Sequence, residues 1–218
     1  MIESLSNLLP TYSTTLPFSK QKVDFTPFKV KDAKNISIVL QEDNKKLSLM
    51  SMIGVLKNCV KDISLNELCL ADAEFLFLQI RSKSIEEFVI LVFNENKTKL
   101  NINDIKTKNT ISTKQIKIGK DITVFLETPK IKDLMVLDTL DKDDIIKSCI
   151  KKISVRNEIY EVNKFIPTEF KNMIDNLPIS FIMEVEEFLK TQPELYVEIE
   201  FNNEKKEVSG ILNFFTYR

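Results

Sequence analysis

Three blocks of residues recur along this chain in the same order. An internal repeat constrains architecture more than local propensity does, because it ties one half of a fold to the other. Val55 to Ser64 (VLKNCVKDIS) returns at Ile145 to Ser154 (IIKSCIKKIS), an offset of 90 with Lys, Cys, Lys, Ile and Ser identical. FVILVFNENKTKLN from Phe88 matches YVEIEFNNEKKEVS from Tyr196 at an offset of 108, and FKVKDA from Phe28 matches PKIKDL from Pro129 at 101. The expected fold class is α+β, built as two related helix-plus-β-hairpin halves from an internal duplication. A first repeat unit over 1–106 and a second over 107–218 would each have a normal domain size and could share one core. The alternative source of the matches is a Lys- and Ile-rich composition with similar secondary structure.

Hydrophobic spacing supplies the elements. From 49 to 63, Leu49, Met52, Ile53, Leu56, Cys59, Val60 and Ile63 fall on the stripe of an amphipathic helix. Ile145, Ile146, Cys149, Ile150 and Ile153 make the equivalent stripe in the second half, behind acidic residues that suit a positive helix start. Ser64 with Glu67 reads as a capping box, and Asp72 as the cap of a helix whose Phe75, Leu76, Phe77, Leu78 and Ile80 run nearly all round it. That helix is expected to be the most buried. Phe88 to Phe93 reads as an interior strand, Asn94-Glu95-Asn96 as a turn, and Thr98, Leu100 and Ile102 as the return. Pro167-Thr168-Glu169 opens a helix, Pro178 separates it from another marked by Phe181, Val185 and Phe188, and 196 to 201 alternates as a strand. An extended piece with a bend at Pro27 and a hairpin turning at Gly119-Lys120 complete the expectation. No βαβ rhythm is present, so no parallel sheet is expected.

Composition removes whole classes of chemistry. With no His in 218 residues there is no imidazole for a catalytic triad, a proton shuttle or metal ligation. The 3 glycines, Gly54, Gly119 and Gly210, are isolated, so no phosphate-cradling loop or dinucleotide fingerprint can be written. Lys+Arg number 31 against 32 Asp+Glu, intermixed, which gives no basic face for nucleic acid. The longest apolar run is six residues, Phe88 to Phe93, against the roughly twenty a membrane span needs. The first twenty residues lack the features of a secretory signal, so the expected compartment is the cytoplasm of synthesis. Cys59, Cys69 and Cys149 are odd in number and widely spaced, which favours buried reduced thiols over disulfides. At 43% hydrophobic the chain should bury roughly 70% of its extended surface.

The acidic groups Asp141/Asp143/Asp144, Glu184/Glu186/Glu187 and Glu86/Glu87 are candidates for paired catalytic carboxylates. All fall at helix ends or polar faces with Lys nearby, so they read as solvated faces. The DKDD run lacks the glycine and distal Glu of a calcium loop. No catalytic residue, metal, cofactor or small-molecule substrate is expected, and partner contacts are sought instead. Arg81, at the end of the most apolar helix, reads either as a dipole partner pairing with Glu86 or Glu87, or as a fork for a partner's carboxylate. The closing GILNFFTYR, with Phe214, Phe215 and Tyr217, reads either as a plug for its own core or as an anchor for another subunit.

Several of these residues fall in a recognisable pattern. Leu16-Pro17, Pro27 to Lys34, Asn58-Cys59, Asp72 to Ser84 and the closing GILNFF resemble the baseplate hub assembly proteins of T-even-like contractile-tailed phages over nearly the whole chain. The departures are Ile85-Glu86-Glu87 where a Gly-Glu often follows the serine, and hairpins without the paired cysteines of some relatives, so no zinc-ribbon-like role carries over. The resemblance implies a late viral protein with no catalytic residues. It would be needed to build the central hub of the tail baseplate in the host cytoplasm, binding other hub or tail proteins. It leaves open a subunit retained in the particle or a transient chaperone, for example of a tape measure protein.

Overall fold

The computed structural model describes residues 9–41, 44–93, 96–156, 158–201 and 204–209. In chain order, strands β1 (Tyr12–Thr15) and β2 (Lys22–Phe25) precede helices α1 (Ala33–Gln41), α2 (Lys45–Cys59) and α3 (Leu70–Ser84). The hairpin β3 (Phe88–Phe93) and β4 (Asn96–Asn101) and the short β5 (Lys106–Lys108) come after them. Next are β6 (Thr113–Ile118), β7 (Ile122–Glu127), α4 (Ile131–Met135), α5 (Lys142–Cys149), β8 (Ile150–Val155) and β9 (Glu158–Glu161). Helices α6 (Pro167–Asp175) and α7 (Ile179–Lys190) lead to β10 (Glu194–Phe201) and β11 (Glu204–Ser209). The chain divides into two compact units, Met1–Lys108 with Pro193–Arg218, and Asn109–Gln192.

In the first unit, Asn44 caps α2 by accepting from Leu47 N at 3.0 Å, which satisfies one of the four backbone donors orphaned at a helix start. Helix α2 then buries Leu49, Met52, Ile53, Val55, Leu56 and Cys59. Helix α3 is buried nearly all round through Ala71, Ala73, Leu76, Phe77, Leu78 and Ile80, as its apolar density predicts. Phe28 packs against Phe77 with ring centroids 5.3 Å apart. The antiparallel pairs β1-β2 and β3-β4 stand as two-stranded sheets, while β10 pairs with β11 on one side and β5 on the other. Strand β10 alternates Leu195, Val197 and Ile199 into the core with Glu198 and Glu200 outward.

The second unit is an antiparallel four-stranded sheet in the order β6-β7-β8-β9 with helices on it. Gly119 turns the β6-β7 hairpin at φ +64, where a side chain would be strained. Ile116, Val124, Leu126, Ile146, Cys149, Ile150, Ile153, Phe170, Phe181, Val185 and Phe188 form its core. Pro167 occupies the first turn of α6, where its missing N–H costs nothing, and Pro178 precedes α7. The ends of this unit are clasped by Asn109, at φ 62, whose Nδ2 donates to the carbonyls of Lys190 at 3.2 Å and Gln192 at 2.9 Å. Within the first unit the flanking residues Lys108 and Glu194 are antiparallel partners. Residues 109–192 are therefore inserted into a unit whose last strands come after them.

The expectation of two duplicated helix-plus-hairpin halves is overturned. The matching blocks do take matching local forms: Lys29 and Lys130 both precede a turn whose aspartate, Asp32 or Asp133, accepts from the backbone N–H of that lysine, at 3.1 and 2.8 Å. Helices α2 and α5 both end on a buried cysteine. These local forms are not assembled into two successive halves, however. The late hairpin β10-β11 joins β5 in a three-stranded sheet of the first unit, and the second unit is built on a four-stranded meander. The division also differs from the expected ranges 1–106 and 107–218, since Pro193–Arg218 belongs with the first unit. Short matched blocks encode caps and helix ends, which are local, whereas sheet membership is set by long-range pairing.

Two element assignments change as well. Asp72 does not cap α3, whose N-cap is Cys69. The stripe through Ile150 and Ile153 is not helical: α5 ends at Cys149 and the chain continues as β8.

Candidate functional site

The residues that carry the family resemblance are joined to one another by hydrogen bonds inside the first unit. Asp72, fully buried in the first turn of α3, accepts from the backbone N–H groups of Phe18 at 3.0 Å and Ser19 at 2.8 Å, just after Leu16-Pro17. Asp32, also fully buried, accepts from Asn58 Nδ2 at 2.6 Å as well as from Lys29 N. Ser84 Oγ accepts from Phe28 N at 2.8 Å while donating to Ile80 O at 2.6 Å. Buried carboxylates are tolerated only when so partnered. These residues form a set of latches: they hold the N-terminal turn, the entry to α1 and the end of α2 against α3, and their role is to fix the fold.

Arg81 lies in the last turn of α3, half-buried, and its Nη1 donates to the carbonyls of Glu86 and Phe88, both at 3.1 Å. Burial holds the guanidinium below its ordinary pKa, and the Glu86 carboxylate partly offsets that. It thus ties the exit of α3 to the start of β3. Phe214, Phe215 and Tyr217 lie outside the described residues.

The carboxylate groups sit on helix ends and faces beside lysines. Asp141 caps α5 by accepting from Asp144 N at 2.9 Å, and Asp144 in turn accepts from Thr139. Glu184 pairs with Lys114 at 3.1 Å, Glu186 with Lys142 at 2.6 Å, Glu187 with Lys190 at 2.5 Å and Glu87 with Lys83 at 2.8 Å. Among the described residues no three metal-capable side chains cluster. All three thiols are buried, and burial pushes each up to about 12, so they stay protonated and poorly nucleophilic.

One concave feature stands out in the second unit, a cleft of about 530 Å3 beside α4, α5 and the β8-β9 strands. Its apolar lining comes from Val136, Leu137, Ile150, Val162, Phe165 and Phe170. Tyr160, Phe165 and Phe170 stack in a tilted series with centroids 6.2 Å apart at each step, running from the exposed strand β9 into the core. Val136, at 81% exposure, stands at its open side. Around this lining are Lys130, Lys132, Lys147, Lys151 and Lys152 against Glu127, Asp133 and Glu161. Sequence patterning singles out none of these positions as a site. The signal it offers is six lysines from 130 to 152, five of them lining the cleft, with an unpatterned Val136 among them.

A fold of antiparallel sheets and packed helices, with buried polar latches and an open cleft, defines an α+β protein. No curated protein and no solved structure matches the chain. The model of one family, described as T4 bacteriophage base plate protein, matches residues 9–216. The chain belongs to that family, and its general role is in assembly of the phage tail baseplate. No helix among the described residues is long and apolar enough to cross a membrane.

Proposed function

We propose that this chain is a non-enzymatic protein needed to assemble the central hub of a contractile-tail baseplate, as a hub subunit or assembly factor. It would act in the host cytoplasm by binding other hub or tail proteins, and reach the virion if it is a subunit. The observation that carries this reading is the family match across residues 9–216. Two features of the molecule support it. Glu184, Glu186 and Glu187 are each paired with a lysine on a helix face, and the thiols are held protonated, so neither group is set up for turnover. Large apolar side chains also stand in solvent on both units, Val30 at 94% and Ile179 at 77%, where a partner would cover them.

A second reading, a transient chaperone for a tape measure or hub protein that is absent from the virion, is favoured by the open cleft. Mass spectrometry of purified particles, together with a pull-down of the tagged protein from infected cells, separates the two. A fixed copy number in particles makes the chain a subunit. Presence only in cellular complexes with tail proteins makes it a chaperone. Absence from both overturns the proposal.

A further inference from the structure

The four-stranded sheet of the second unit ends on two edges that are built differently. On β6, Lys117 stands exposed and Lys114 crosses to Glu184 at 3.1 Å, the kind of charged cover that keeps an edge from pairing. Strand β9 carries no lysine and no proline. Glu158, Ile159 and Tyr160 are exposed on it, Ile159 at 64%, and among the described residues no backbone hydrogen bond reaches its outer side. The hairpin sets the direction of its backbone groups. Arg156 N donates to Asp121 O at 2.8 Å on the β7 side, so Val155, one residue back, turns its N–H and C=O towards β9. Val155 and Ile153 therefore exchange bonds with Glu158 and Tyr160, their partners in the register. Ile159 and Glu161 are left with their N–H and C=O directed off the sheet.

From this edge we propose that β9 pairs antiparallel with β9 of a second copy of the chain across a twofold axis, joining the two sheets into one. The residues select the register. Outward-directed groups must meet outward-directed groups, which excludes setting Glu158 against Glu161, because Glu158 directs its backbone inward. Centring the pair on Glu161 would set that carboxylate against its own copy, and centring it on Ile159 would leave Glu161 opposite the turn that follows Val155. Centring on Tyr160 engages both outward residues, with Ile159 facing Glu161 of the second copy and Glu158 facing Val162. The Tyr160 rings then meet across the axis, on the face of the sheet that carries Ile153. About four new backbone hydrogen bonds make a weak contact, so the pair forms by mass action as concentration rises. Such self-pairing goes beyond the assembly role proposed above, and it is tested on the purified chain alone.

Sedimentation equilibrium of the purified full chain, from about 5 to about 500 µM, reads the association. The average mass is expected to rise from 25.3 kDa towards that of a dimer and to stop there, since a twofold contact closes on itself. Ile159→Pro removes an outward N–H without losing a bond inside the sheet, and Ile159→Glu sets a glutamate against Glu161 of the second copy. Each should weaken association about tenfold or more while the thermal midpoint stays near that of the unaltered protein, and Ile159→Glu carries the comparison alone if the proline variant melts early. Tyr160→Cys should form a disulfide-linked dimer on mild oxidation, because facing residues at that position of a ladder bring their Cα atoms within about 4.5 Å. Cys59, Cys69 and Cys149 are buried and do not compete. A mass of 25.3 kDa at every concentration overturns the proposal. So does association left unchanged by the Ile159 variants, which puts the contact elsewhere, or a Tyr160→Cys chain that links no faster than Lys117→Cys on the opposite edge. If the chain is monomeric alone and a co-purified tail protein slows exchange of the Ile159 and Glu161 amides, β9 receives a foreign strand and self-pairing is overturned.

Discussion

The blocks Val55 to Ser64 and Ile145 to Ser154 share five of ten residues and end their helices on the same buried cysteine, yet the chain leaves the two helices differently. After Cys59, Val60 turns extended and makes a single bridge to Phe25 before Asp62 bends the chain at φ 59. After Cys149, Ile150 also turns extended, but the strand runs on to Val155 between β7 and β9. At the eighth position the first block has Asp62 and the second Lys152. Aspartate visits the left-handed region more readily than most side chains, while Lys152 lies in a ladder opposite Phe125 and Glu161. The shared residues encode the helix end. The path of the chain beyond that end is decided by one turn residue and by whether neighbouring strands are available.

That contrast can be broken most sharply at the ninth position. Ile153 is 2% exposed in the second core, whereas its counterpart Ile63 is half-buried. Ile153→Ala should cost about 3 kcal/mol and Ile63→Ala less than about 1 kcal/mol, read by urea unfolding. Equal costs would mean that the two blocks play the same packing role after all. A smaller effect is expected one position earlier. Lys152→Gly should lose about 1 kcal/mol by loosening a strand interior, while Asp62→Gly should gain about 0.5 kcal/mol by relieving the left-handed turn. Losses of similar size at both sites would refute the turn-against-strand distinction.

The smallest contrast is a null one, between the cysteines that close the helices. Burial raises both thiols from 9.0 to about 12, so the native state holds each proton more tightly than the unfolded chain does. The associated stability is complete below pH 9 and is lost as pH rises from about 9 towards 12. Single Cys59→Ala and Cys149→Ala variants should each flatten the alkaline limb of the stability profile to a similar degree. A thiol that reacts with a disulfide reagent in the native protein at pH 8 would contradict burial at that site.

Much of the fold is legible in the residues because its signals are local. Proline marks the start of α6 and precedes α7, the apolar density of α3 announces its burial, and Gly119 fixes a hairpin. Strand β8 is hidden by a bulge. The register shifts between Phe125 and Leu126, so that Leu126 faces Ile150 and Phe125 faces Lys152, leaving Lys151 over. That extra residue resets the alternation and turns both Ile150 and Ile153 inward, three apart, which imitates helical spacing. Asp72 resembles a cap in sequence because nothing local shows that its carboxylate serves donors more than fifty positions away. The cleft has the same origin, with lysines from α4, α5 and β8 meeting aromatics contributed after β9. Arg81 is readable as a helix-end residue, and the carbonyls it holds lie within seven positions of it.

The insertion of residues 109–192 has a consequence for synthesis. A chain emerging from the ribosome completes the second unit before Leu195, Val197, Ile199 and Val208 have been made, so β5 waits without a partner and the first core without its last apolar contributions. Translation thus imposes an order on folding, the later-begun unit finishing first and the earlier one closing only when β10 and β11 arrive.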